Sequence, residues 1–337
     1  MTAGNWIQNG EKYAFVGLSL KVADNLPVGP IGRNLWLLAD TSFTIPDQWP
    51  EWLGSIRTGQ LDDCNVFLLS KAAAQEPGVL DGENQRLQHL VSCFYYGLLL
   101  SSRFAPSHRP VLMTGSRRDG QIDIRQLTDF DAPVPCDYRF YPEVLAAEFT
   151  AAARLAEAIL DIETGVIAGG HWRLFRALHV YLQARTTPNA LERLHQYCRC
   201  IEGMIGAAQG RSKSQFKSRT EIFIGPTHHD LLGKIYDVRS DVEHLHEDRH
   251  IMDRDRAKRL DLVAKEAIIE NLARRIFAHI LAKQELWGHF ANRDSIDQFW
   301  ALPVDDQALV WGPGFDLFEP LAEFDPQSIS NGQIGLC

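Results

Sequence analysis

The sequence predicts an α+β chain: a mixed α/β N-terminal domain over residues 1–140, an all-α helical bundle over 141–285, and a tail over 286–337 that packs back on the core. Three observations predict it. Before residue 135 the apolar residues fall in short alternating or continuous runs of strand length. From Glu143 onward they recur at spacings of three and four. A length of 337 residues also exceeds what one hydrophobic core ordinarily organises.

In chain order, Tyr13 to Val22 alternates as a half-buried strand does, while Leu35 to Ala39 and Asn65 to Ser70 are continuously apolar and read as buried strands. Val28 to Asn34, VGPIGRN, lacks the Lys-Ser/Thr ending of a phosphate loop and reads as a turn. Glu83 to Ser102 reads as a buried helix. Asp119-Gly120, between Pro110 to Thr114 and Gln121 to Leu127, is a hairpin signal. No pattern in this half points to chemistry, which leaves it sensing or substrate selection.

The helical half begins with Val144 to Ile162 and, after the Gly169-Gly170 break, Trp172 to Ala184. Thr187-Pro188-Asn189 then separates off a helix from Ala190 to about Ala207, whose Leu191, Leu194, Cys198, Ile201 and Ile205 form one stripe. A basic loop over Gln209 to Ser214, a short helix around Phe216 to Ile224, a helix from Leu231 to His250 and a long one from Asp253 to Gln284 complete an up-and-down bundle of four or five helices. In the tail, Asp294 to Trp300 is the one helix-like piece.

Composition narrows the class. With 45% hydrophobic and 23% charged residues the chain is an ordinary globular one. The start, MTAGNWIQNGEKY, has no signal-peptide pattern, and the longest apolar run, Leu90 to Leu100, is too short to span a membrane. Six cysteines without a Cys-x-x-Cys pair point to a reducing cytoplasm. The net charge of −9 argues against nonspecific nucleic-acid coating, but it is unevenly spread. Residues 170–285 carry 20 Lys and Arg against 15 Asp and Glu, and nine of the twelve histidines. A basic, histidine-rich module in an acidic chain favours a phosphate-bearing partner.

The stretch LLGKIYDVRSDVEHLHEDRH, Leu231 to His250, concentrates the chemistry. Leu231, Leu232, Ile235, Val238, Val242 and Leu245 form its buried stripe, which leaves Arg239, His244 and His246 elsewhere. An arginine can hold a phosphate bidentately, and an imidazole can move a proton near neutral pH without a metal. Arg211 and Lys213 of the basic loop, with Lys217 and Arg219, form a candidate track for an RNA backbone.

The words YDVRSDVEH, preceded by the helix RLHQYCRCIEGMI from Arg193 to Ile205, resemble the HEPN superfamily of all-helical RNA-processing domains, and its Apea-like branch in particular. The resemblance covers about residues 170–285. It implies Arg239 and His244 as catalytic residues and Glu202 on the upstream helix as support. Tyr236 and Ser240 are candidates to orient a phosphate oxygen. It further implies a homodimer that joins two such helices in one cleft, and metal-independent cleavage of RNA, such as tRNA. In that reaction a 2′-hydroxyl attacks the adjacent phosphate, without cofactor or metal ligand, in an antiviral defence or toxin role. The sequence departs from the pattern in placing Ser240 after the arginine, with Asp241 and Glu243 adding negative charge.

Helix geometry divides the two histidines. On a continuous helix Arg239 and His244 lie about 140° apart, whereas Arg239, Glu243, His246 and His250 share a face. His244 ranks first on the family pattern, provided the helix ends or bends there, and His246 is its rival. Two other readings stand beside the nuclease. One is a noncatalytic RNA-binding or dimerisation module. The other is a zinc hydrolase using His246-Glu247-x-x-His250, with Glu266 or Glu270 as third ligand.

Overall fold

The computed structural model describes residues 5–23, 26–75, 82–134, 141–246, 255–322 and 327. The chain divides into two compact units. One comprises residues 1–133 with 141–160, the other 134–140 with 161–337. The division falls inside one helix, and residues 286–337 belong to the same unit as the bundle.

The first unit is built on an antiparallel sheet. Its strands are β1 (Glu11–Leu18), β2 (Gly29–Gly32), β3 (Leu35–Ala39), β4 (Val66–Ala73), β5 (Val111–Arg118), β6 (Gln121–Ile122) and β7 (Gln126–Asp129), in the order β2-β3-β4-β1-β5-β6, with β7 also on β5. Central β1 sets Phe15 opposite Leu69 on one side and Met113 on the other. On one of its faces Tyr13 and Phe15 pack with Trp6, Phe43, Trp49 and Phe67, and the buried indole of Trp49 donates to the Ile122 carbonyl at 2.9 Å. Residues on its other face alternate with these, and there the buried Lys12 pairs with Glu83 of α2 (Gly82–Ser101). Gly97 lets α2 approach the following helix, α3 (Ala146–Ile167), because a Cβ at Gly97 would lie 2.2 Å from the Ala152 carbonyl oxygen.

Several expectations change here. The first strand ends at Leu18 rather than continuing to Val22. The stretch Val28 to Asn34, expected as a turn, contains strand β2 and only then turns, through Arg33 and Asn34, the latter at φ 58°. Helix α1 (Trp49–Asp62) has no counterpart in the sequence reading, and Gly54, at φ 73°, interrupts the periodicity that would have announced it. The Asp119-Gly120 hairpin is present, with both residues at positive φ, as a type I′ turn requires.

The second unit contains, among the described residues, α4 (Trp172–Arg185), α5 (Ala190–Ile205), α6 (Ser212–Ile224), α7 (His229–Glu243), α8 (Arg256–Ala282), α9 (Gln284–Phe290), α10 (Arg293–Ala301) and α11 (Val304–Trp311). Helix α5 is central, touching α4, α6, α7, α8 and α10. Asn189 caps its start by accepting from the amides of Leu191 and Glu192, and Gly206, at φ 58°, ends it. Two buried ion pairs tie neighbours to α8: Arg185 with Glu270 at 2.7 Å and Arg193 with Glu266 at 2.9 Å. Among the described residues the tail region carries α9, α10 and α11 rather than the one expected helix. Its Trp300 donates to the Met204 carbonyl and its buried Trp311 packs on Phe223 with ring centres 4.3 Å apart, so it completes the core of the bundle. Among the described residues no helix is long and apolar enough to cross a membrane.

Candidate functional site

Two helices bring the site together. On α5, His195 and Glu202 are seven residues apart and so lie on nearly the same face. On α7, Tyr236, Arg239 and Glu243 are spaced by three and four, beside the buried Leu232, Ile235 and Val238. Packing the apolar stripes of α5 and α7 together therefore sets these two polar rows against each other.

The contacts form one chain. Arg239 Nη2 donates to Glu202 Oε2 at 2.9 Å, and Tyr236 Oη donates to Glu202 Oε1 at 3.2 Å. Arg239 Nη1 lies 3.5 Å from Glu243 Oε2, which His195 Nε2 approaches at 2.5 Å. The guanidinium also stands 5.5 Å from the centre of the Tyr236 ring. A hydrogen bond to a charged group is worth about 1.5–3 kcal/mol net, enough to fix the orientation of Arg239. Three of the expected residues, Glu202, Tyr236 and Arg239, thus meet.

The electrostatics follow from this crowding. Burial alone would lower the Arg239 pKa, but Glu202, Tyr236 and Glu243 outweigh it and raise it. The Tyr236 phenol is pushed up by burial and by Glu202. The hydrogen bond from His195 lowers the Glu243 carboxyl, with help from Arg239 and His244. Beneath them the Cys198 thiol is pushed well up, first by burial and then by Glu202, which makes it a packing group rather than a nucleophile.

The histidines fall differently from the continuous-helix reading. Helix α7 ends at Glu243, with His244 as its C-cap. Leu245 adopts φ 58°, the amide of His246 reaches back to the Asp241 carbonyl at 2.6 Å, and the chain leaves the helix direction. His246 therefore does not share a helical face with Arg239, and helix geometry does not favour it over His244. Both histidines are exposed, their rings 6.4 Å apart. Ser240 is half-buried and contributes its carbonyl to the His244 amide.

The expected backbone track is only partly free. Arg219 donates to the Ile205 and Gly206 carbonyls at 2.6 and 3.1 Å and lies over the Trp300 ring, so it caps α5 instead of facing solvent. Lys213 pairs with Asp237 at 2.5 Å. Helix α6 begins at Ser212, which places Lys213 on a helix rather than in the expected loop. Arg211 is exposed and Lys217 half-buried.

For the zinc reading, Glu247 and His250 lie outside the described residues. Glu266 and Glu270 are fully buried and committed to Arg193 and Arg185, which removes both as a third ligand. The residue the sequence reading missed is His195. The signal was present, since it sits two turns before Glu202, but its partner Glu243 is on another helix.

Comparison with protein-family models, with curated proteins and with solved structures finds no match to this chain.

Proposed function

We propose that this protein is a metal-independent endoribonuclease of HEPN type, working in a reducing cytoplasm in antiviral defence or as a toxin. The observation that carries the reading is Arg239, held by Glu202 across the α5–α7 interface, with His244 just beyond the end of the same helix.

In this reading a substrate 2′-hydroxyl gives its proton to a histidine as its oxygen attacks the adjacent phosphorus. The bond from phosphorus to the 5′-oxygen breaks, and that oxygen takes a proton from a second histidine. The products are a 2′,3′-cyclic phosphate and a 5′-hydroxyl. Arg239 Nη1 meets the Glu243 carboxylate only at 3.5 Å, a loose contact that phosphate oxygens would displace as negative charge builds. His244 is the first choice for proton transfer and His246 its rival. A homodimer through the bundle would supply the second histidine, and tRNA is one candidate substrate.

A second reading has its own support. Glu202 and Glu243 both face Arg239, and two carboxylates around one guanidinium suit a noncatalytic RNA-binding or dimerisation module. One experiment separates the two. Wild type, Arg239→Ala, His244→Ala and His246→Ala are incubated with total RNA in EDTA, and new 5′-hydroxyl ends are mapped. The nuclease reading expects wild-type cleavage to fall by about 100-fold or more in Arg239→Ala and in one histidine variant. RNA retention without cleavage by any of the four selects the binding module.

A further inference from the structure

Glu202 also lines an open cavity of about 520 Å³ in the second unit. That lies within the range of about 300–1,000 Å³ usual for small-molecule sites. Its wall holds four arginines, Arg173, Arg176, Arg199 and Arg293, and one carboxylate, Glu202, already paired with Arg239. Arg173 is pinned by its Nε to the Gly203 carbonyl at 2.7 Å, and Arg293 is paired with Asp297 at 2.8 Å. Arg176 and Arg199 are exposed, and neither is paired with a carboxylate among the described residues.

The backbone adds to the positive field. The first residues of three helices, Trp172 of α4, Ser212 of α6 and Arg293 of α10, all line this cavity. Helix N-termini carry partial positive charge and favour anions. The crowding has an electrostatic cost, since burial and then Arg293 push the Arg173 pKa down. A bound anion would relieve that repulsion. Beside the cations, Trp172 is 61% exposed, so its ring is open to a stacking partner. An aromatic face next to clustered arginines is the combination that takes a base and a phosphate together.

We propose that this cavity is a nucleoside-phosphate site, the phosphate held by the arginines and the base stacked on Trp172. The ligand is either a free nucleotide or one nucleotide of an RNA strand. The site goes beyond RNA cleavage and does not depend on it. Glu202 both lines the cavity and accepts from Arg239, so occupancy has a direct route to the orientation of that guanidinium.

The test uses the full chain and two fluorescent probes, a labelled adenosine nucleotide and a labelled 2′-O-methyl oligouridylate eight residues long. The second cannot undergo 2′-hydroxyl cleavage, so the binding result is the same whether or not the protein is an active nuclease. Wild type, Trp172→Ala, Arg176→Glu/Arg199→Glu and the control Arg154→Glu are titrated, with inorganic phosphate as competitor. Unchanged melting confirms that the exposed substitutions leave the fold intact. The expected result is saturable binding that phosphate competes away, about 10-fold or more weaker in both cavity variants and unchanged in the control. Binding of the mononucleotide identifies a free-nucleotide site, and binding of the oligonucleotide alone identifies an RNA subsite. Absence of binding by wild type to both probes, or equal affinity in wild type and both cavity variants, overturns the proposal.

Discussion

Replacing Glu266 by leucine should destabilise the helical unit more than any surface change. Its carboxylate is fully buried and accepts from Arg193 Nε at 2.9 Å, while the Arg193 side chain is 3% exposed. At an effective dielectric of about 20, unit charges at this separation attract by about 6 kcal/mol, and burying the two ions costs several kcal/mol each. The pair therefore gives little net stability over apolar residues, but removing one partner leaves a buried cation. That ordinarily costs about 3–5 kcal/mol. Arg193 also donates to the Thr187 and Pro188 carbonyls at 2.8 and 2.7 Å, which partly solvate it and favour the lower end. About 3 kcal/mol corresponds to a melting shift of roughly 6–12 °C for a unit of this size. The double variant Arg193→Met/Glu266→Leu should recover most of that loss. Thermal and urea unfolding followed by circular dichroism measure both. A single variant within about 1 kcal/mol of wild type, or a double variant no better than the single, would refute the reasoning.

Gly97→Ala should cost the first unit about 2 kcal/mol or more, because the new methyl meets the Ala152 backbone carbonyl, which has no rotamer to move. Urea midpoints check this, and a change under about 0.5 kcal/mol would show that α3 shifts freely. Glu243→Gln should alter the acid side of the stability profile. The Glu243 pKa is depressed in the folded protein, chiefly by the His195 hydrogen bond. Its contribution is therefore complete above the ordinary carboxylate range and lost as pH falls through the lower folded value. The gap between wild type and Glu243→Gln should be open at pH 6 and narrow progressively as the pH falls below the ordinary carboxylate range. A gap constant from pH 3 to 6 would rule out that linkage.

The polar row on α7 and the stripe on α5 were legible because helical periodicity assigns each side chain to a face before any tertiary contact exists. Glu202, Tyr236 and Arg239 were nominated by the family resemblance of the two helices rather than by periodicity, whereas the Asp119-Gly120 turn was legible directly, since its backbone conformation is a local preference. Periodicity does not say which face meets which. The joining of His195 to Glu243, the diversion of Arg219 into capping α5 and the pairing of Glu266 with Arg193 each link residues of different helices. The end of α7 was also hidden, because the left-handed turn there falls on Leu245 rather than on glycine. The arginine cavity depends furthest on the fold. Its lining residues lie between 172 and 293 in sequence, and only the packing of α4, α5, α6 and α10 sums their charges into one field. Local sequence sets what each segment can bury, and long-range packing decides which polar groups are left facing one another.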